Sequence, residues 1–243
     1  MADIGIQVGA SIDALMHEFN IITHNMANVS TTGYKRTTNA FSRVLDAHTK
    51  GEELDYNSEV ELDSALDFSQ GGTNVTGRPL DFALYGKGFF VVETLEGQLY
   101  TRNGSLHVNQ NGQIVNTEGF TIAGQSGPIT IPANVALSQV SVSGDGNISA
   151  GNISIGKFKF VEFQDNESQL LPVGLGNFTA PEGVIPMEAE NLIVRQGYQE
   201  SSNVKIVDEL VDMIMVQRLY EANIKFITAG AETSSTLMDV AMG

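Results

Sequence analysis

Residues 89–104 read Phe89-Phe90-Val91-Val92-Glu93-Thr94-Leu95-Glu96-Gly97-Gln98-Leu99-Tyr100-Thr101-Arg102-Asn103-Gly104. One apolar run ends at Glu96-Gly97. A second, from Gln98 to Arg102, ends at Asn103-Gly104. Asn-Gly is a strong two-residue hairpin signal, because both residues tolerate positive φ. The rhythm continues outward. Ser105 to Val108 leads to Asn111-Gly112, and Gln113 to Asn116 leads to Glu118-Gly119. Gly144-Asp145-Gly146 and Gly151-Asn152 carry it to a strand over 156–163. Turn signals at this spacing, roughly every 8–12 residues, predict an antiparallel β domain. Most of the 25 glycines fall in this middle segment, where turns need positive φ.

The period changes at both ends. Val8, Ile12, Leu15, Phe19, Ile22, Met26 and Val29 follow one another in steps of 4 and 3. That period of about 3.5 residues marks a coiled-coil seam. The run closes at Ser30-Thr31-Thr32-Gly33, where glycine suits a left-handed turn. A second stripe runs through Leu210, Met213, Gln217, Tyr220, Ile224, Ile227, Ala231, Ser234, Met238 and Ala241, and only Gln217 and Ser234 interrupt it. Ser202 or Asn203 would cap this helix, with Asp208 and Glu209 near the positive end of its dipole. Residues 51–70 hold seven acids and no base, which reads as an exposed connector. The expected fold class is therefore α+β. Long N- and C-terminal helices pair in a coiled-coil-like bundle, and a mostly antiparallel β domain lies between them. The expected divisions are 1–34 for the N-terminal helix, 35–79 for an extended acidic connector, 80–195 for the β domain and 196–243 for the C-terminal helix.

Composition excludes several functions. The 243 residues carry 13 Lys and Arg against 29 Asp and Glu, a net charge of −16. That sign disfavours nucleic acid, whose phosphates need a basic face, and anionic membrane surfaces. The absence of cysteine rules out disulfides, thiol catalysis and Cys-ligated metals. The first Lys or Arg is Lys35, so no Sec-type signal peptide is expected.

No catalytic, cofactor-binding or metal-binding residue is predicted. His17 and His24 stand a heptad apart, too far to share a metal as an i, i+4 pair does. Gly86-Lys87-Gly88 and Gly174-Leu175-Gly176 lack the third glycine of a dinucleotide fingerprint and read as turns. Asn109-Gln110-Asn111-Gly112 lacks the closing Glu of a calcium loop. No Gly-x-Ser-x-Gly nucleophile elbow occurs. The chain reads as a non-enzyme with no cofactor and no small-molecule substrate.

The ends carry more than periodicity. Residues 25–35, Asn-Met-Ala-Asn-Val-Ser-Thr-Thr-Gly-Tyr-Lys, resemble the N-terminal signature of the flagellar basal-body rod and hook protein family, Asn-x-Ala-Asn-x-x-Thr-x-Gly-Phe-Lys. Asn25, Ala27, Asn28, Thr32, Gly33 and Lys35 match, and Tyr34 replaces Phe. The C-terminal segment is similar to the family's at Gly197, Ser202, Asn203, Val204, Met213, Ile214, Gln217, Arg218, Tyr220, Glu221, Asn223 and Lys225. Arg78-Pro79-Leu80-Asp81, Gly86-Lys87-Gly88-Phe89-Phe90 and Tyr100-Thr101-Arg102-Asn103-Gly104 also fit.

The resemblance implies a structural subunit that polymerises through its terminal helices into the flagellar rod. Its partners would be copies of itself, neighbouring rod or hook proteins and the flagellar type III export apparatus. Its place would be the periplasmic basal-body rod, reached without a cleaved signal peptide. Val8, Ile12, Leu15, Phe19, Ile22, Met26, Leu210, Met213, Tyr220, Ile224 and Ile227 are the expected packing residues. Arg78-Pro79-Leu80-Asp81 and Gly127-Pro128-Ile129-Thr130-Ile131-Pro132 look like the proximal-rod member, which is preferred. Gln217-Arg218-Leu219-Tyr220-Glu221 looks closer to the distal-rod member. The alternatives are a hook protein of the same family and a secreted β-rich adhesin or binding module with coiled-coil ends.

Overall fold

The structure is a computed structural model and describes residues 2–38, 64–164 and 166–242. Most of the expected acidic connector, residues 39–63, lies outside these, as do the side chains of Val8, Ala231, Ser234, Met238 and Ala241. Helix α1 spans Ala2–Ala27 and α2 spans Ile206–Met242. Short strands fill the interval: β1 (Thr37–Thr38), β2 (Ala65–Leu66), β3 (Thr73–Val75), β4 (Phe82–Tyr85), β5 (Phe89–Thr94), β6 (Gly97–Thr101), β7 (His107–Val108), β8 (Ile114–Val115), β9 (Thr121–Gly124) and β10 (Gly127–Pro128). There follow β11 (Val140–Val142), β12 (Asn147–Ala150), β13 (Ile153–Lys157), β14 (Phe160–Glu162), β15 (Leu171–Gly174), β16 (Asn177–Thr179), β17 (Met187–Glu188), β18 (Ile193–Gln196) and β19 (Tyr198–Glu200).

The expected class needs correction. The protein is mostly β, its main sheet curls as a half-barrel, and the helices form no paired terminal bundle. Where α1 and α2 meet, the buried apolar cluster among the described residues is Leu15, Ile22 and Val216, with Phe19, Met26 and Met213 packed beside them. Leu210, Tyr220, Ile224 and Ile227 are exposed. The heptad spacing was a sound guide to helix but not to a bundle, because a bundle needs both stripes covered along their length. One compact unit holds α1 and α2, and the other holds residues 28–36 and 65–204.

The main sheet has ten antiparallel strands and runs β15-β16-β6-β5-β9-β8-β7. β10 pairs with β9, and β14 joins β5 to β17. Its centre is β5, where Phe89, Phe90, Val91 and Val92 are all fully buried. Successive strand side chains point to opposite faces, so this unbroken apolar run serves two cores. Phe90 and Val92 join Leu80, Phe82, Leu106, Ile114, Ile148 and Phe158 on one face. Phe89 and Val91 join Tyr100, Val161, Phe163 and Phe178 on the other. Burying one such side chain is worth roughly 1.5–3 kcal/mol, so β5 alone is a large stabilising element.

One turn differs from expectation. Asn111-Gly112 does reverse the chain between β7 and β8, but Asn103-Gly104 makes no hairpin. β6 pairs with β5 and β16, and the chain after it continues past the Asn-Gly pair to run beside β4. There the Phe82 N–H donates to the Gly104 carbonyl at 2.9 Å. Positive φ is available to Asn-Gly but not compulsory, and the pull of the buried Phe82 and Leu106 decides the path.

Candidate functional site

The signature residues around Gly33 and Lys35 converge on one buried carboxylate. β19 pairs with β3 in the register Glu200↔Thr73, and the Glu200 side chain is wholly buried. Lys35 Nζ donates to Glu200 Oε1 at 2.8 Å and to the Ser69 carbonyl at 2.7 Å. The Gly71 N–H donates to the same Oε1 at 3.0 Å. Arg102 Nη1 lies 3.6 Å from Oε2. Its Nη2 donates to the Gly86 carbonyl at 2.7 Å, and its guanidinium stands 5.3 Å from the centre of the Phe89 ring. Two cations and one anion share this interior. Burial pushes the Lys35 ammonium below the usual lysine range, against the attraction of Glu200. It lowers Arg102 as well, opposed by Glu200 and Glu167.

Gly33 must be glycine here. Its φ is +70°, and a Cβ on it would lie 2.6 Å from the Asn103 amide nitrogen. Its N–H donates to the Glu200 carbonyl at 2.8 Å. Asn203 works on the same segment. Its Oδ1 accepts the Arg36 N–H at 2.7 Å, and its Nδ2 donates to the carbonyls of Asp67 and Ser69 at 2.8 and 3.2 Å. Asn25 does the equivalent beside the helices. It exchanges two hydrogen bonds with the Thr37 backbone, at 2.8 and 2.9 Å, and reaches Glu209 Oε2 at 3.3 Å. These buried hydrogen bonds fix one chain path, since breaking them is costly, although Arg102 Nε and Nη1 and Glu200 Oε2 make no hydrogen bond and are held by charge alone. Lys35 and Arg102 share the one carboxylate of Glu200, so the cluster binds distant segments together. Among the described residues no cluster of His, Cys, Asp or Glu could hold a metal ion.

The remaining signature residues divide. Asn28 Oδ1 accepts from Thr31 Oγ1 at 3.1 Å, Thr32 is half-buried, Tyr34 is buried and Ala27 is exposed. Gly197 has a φ of +80° and donates to the Asp81 carbonyl at 2.7 Å. The Val204 N–H donates to Ser202 Oγ at 3.2 Å. Gln217, Arg218, Tyr220 and Glu221 are exposed on α2 and make no contribution to these clusters.

The expected packing residues also divide. Leu15 and Ile22 are buried, and Ile12, Phe19, Met26 and Met213 are half-buried. Leu210, Tyr220, Ile224 and Ile227 form part of an exposed apolar surface that includes Val211, Ile214, Leu219 and Phe226. A shallow groove of about 580 Å³ runs along the helices, lined by Leu15, Met16, Phe19, Val216 and Tyr220 among others. Sequence reasoning missed Val216, which lies one position off the apolar stripe and is the buried apolar residue of α2 among the described residues. It also missed Glu200, which stands within the Gln-Glu-Ser-Ser-Asn run of the family's C-terminal segment.

Two family models match the chain. The flagellar hook protein FlgE/F/G D1 domain covers residues 83–150, from β4 to β12. The flagellar basal body rod FlgEFG protein C-terminal covers residues 195–240 and so includes Glu200, Asn203 and most of α2. The flagellar basal-body rod protein FlgG of Buchnera aphidicola from Acyrthosiphon pisum is 32% identical, over 89% of this chain and 91% of its own length. FlgF of Salmonella typhimurium is 33% identical, over 86% of each chain. FlgF of Caulobacter vibrioides is 32% identical, over 98% of this chain and 97% of its own.

The chain belongs to the flagellar basal-body rod FlgE/F/G family.

For this member of the FlgE/F/G family, the geometry separates two kinds of signature residue. Asn25, Gly33, Lys35, Glu200 and Asn203 are internal fasteners. Gln217, Arg218, Tyr220 and Glu221 face outward, with no partner role inside the buried clusters.

Proposed function

We propose that this protein is a structural subunit of the flagellar basal-body rod, of the proximal rod in preference to the distal. The observation that carries this reading is its near end-to-end match with rod proteins FlgF and FlgG. On this reading the subunit polymerises with copies of itself and with neighbouring rod or hook proteins. It leaves the cytoplasm through the flagellar type III export apparatus without a cleaved signal peptide, and lies in the periplasmic part of the basal body. The expected packing residues act in this polymer. Those buried in the seam position the helices, and the exposed Leu210, Tyr220, Ile224 and Ile227 meet other subunits. The β-rich residues form a compact unit of their own. The role is mechanical, and no catalysis is assigned.

The test is deletion of the gene followed by electron microscopy of isolated basal bodies, with a tagged copy returned to locate the protein. A proximal subunit predicts loss of motility, no completed rod, and the tag near the inner-membrane end. A tag confined to the outer end would assign the distal rod. Motile deletion cells with complete rods would refute the rod assignment.

A further inference from the structure

The chain contains two Asn-Gly pairs, and the fold treats them oppositely. Asn103 is half-buried, and its Oδ1 accepts the Ser105 N–H at 3.0 Å. Gly104 is held by the Phe82 N–H on its carbonyl at 2.9 Å, and a side chain on it would overlap the Phe82 backbone. Asp81 bridges to Ser105 immediately beyond. Moving this pair means opening the β4 edge over Phe82 and Leu106, both fully buried.

Asn111 sits at the tip of the β7–β8 hairpin, exposed, with a carboxamide that makes no hydrogen bond to the described residues. Gly112, next in the chain, has a φ of +80°. Its N–H is engaged only by the Asn109 carbonyl of the same turn, at 3.0 Å. The geometry points to Asn111 as a site of spontaneous deamidation, a chemical clock on an otherwise locked β domain. The Gly112 backbone nitrogen loses its proton to solvent and attacks Asn111 Cγ. A Cγ–N bond forms, Nδ2 takes a proton from solvent, the Cγ–Nδ2 bond breaks, and Nδ2 leaves as ammonia. Water then opens the resulting succinimide at either carbonyl, giving aspartate or isoaspartate and one more negative charge. Glycine favours the attack because no Cβ hinders its nitrogen, and the one hydrogen bond of that N–H lies within the turn.

Asn109 is the brake. Its Oδ1 accepts the N–H groups of Asn111 and Gln113, both at 2.9 Å, and its Nδ2 donates to Gln113 Oε1 at 3.1 Å. These bonds must loosen before the turn rearranges. The isoaspartate product lengthens the backbone at Asn111 by one carbon. It would therefore disturb the bond from the Ile131 N–H to the Gly112 carbonyl, now 2.8 Å.

The experiment incubates the purified full-length protein at mildly alkaline pH and follows both sites by peptide mapping and mass spectrometry, folded and in concentrated urea. In the folded protein Asn111 should deamidate at least about tenfold faster than Asn103, the ratio produced by an opening cost larger by about 1.4 kcal/mol. In urea the two rates should converge, because both are Asn-Gly. Asn109→Ala should speed the folded Asn111 reaction, while Asn109→Asp, which keeps the acceptor, should leave it near wild type. Equal rates in the folded protein, or Asn103 reacting first, would overturn the inference. A rate ratio that persisted in urea would also overturn it, since the fold would then not be the cause.

Discussion

Glu200 is the carboxylate that pairs directly with both Lys35, at 2.8 Å, and Arg102, at 3.6 Å. Glu200→Gln would keep the shape and remove the anion, leaving two cations buried. Breaking a buried pair from one side costs about 3–5 kcal/mol, because desolvation of the survivor is no longer offset. The expected result is a fall of that size in the urea unfolding free energy of the β-rich unit. A loss under about 1 kcal/mol would mean that water reaches the cluster and the pair is weak. Lys35 was visible in the sequence through the family signature. Its partner was not, because the two are 165 positions apart and only the β19–β3 pairing brings them together. Gly33 is the intermediate case: its turn conformation was legible, but its close approach to Asn103 was not.

At the scale of the element, α2 shows how periodicity can mislead by one position. Its apolar stripe was read through Leu210, Met213, Gln217 and Tyr220, yet the inward residues include Glu209, Met213 and Val216. Val211, Ile214 and Leu219 are apolar as well, so the helix is apolar over more than one face and a stripe alone does not fix its rotation. Two substitutions separate the faces. Val216→Asp places a charge in the seam with Leu15 and Ile22, and should lower the helical melting transition of the isolated subunit. Ile224→Asp lies on the exposed surface and should change subunit stability by no more than about 0.5 kcal/mol, yet abolish swimming and rod assembly. Circular dichroism melts and swim-plate assays read both. Normal swimming by the Ile224→Asp strain would remove this face as the polymer contact.

For the whole molecule, the distribution of burial predicts an uneven stability. β5 is buried on both faces, whereas α2 from Gln217 to Gly230 exposes nearly every residue. A helix with its apolar side in water draws little support from tertiary packing. Hydrogen exchange on the free subunit should therefore find the amides of Val91 and Val92 the slowest and those of residues 217–230 fast. In the assembled rod the helix amides should become slow as well. Equal protection of α2 and β5 in the free subunit would mean that α2 is already held within one chain, and assembly would be docking of preformed parts.

By itself the sequence determined much of the local chemistry: the Asn111-Gly112 turn, the two helical stretches, and that the middle is antiparallel β. These depend on neighbours a few residues apart, through glycine's freedom at positive φ, the pleat of a strand and the period of a helix. The family was legible for the same reason, since its signatures are short continuous runs. Only the tertiary structure decided that the sheet curls into a half-barrel with a core on each face, and that Asn103-Gly104 runs straight on where Asn111-Gly112 turns. It also decided that Glu200 anchors Lys35 and that α2 turns Val216 inward. Each of those outcomes is a competition among contacts distant in sequence, settled by which burial and which charge pairing can be satisfied together.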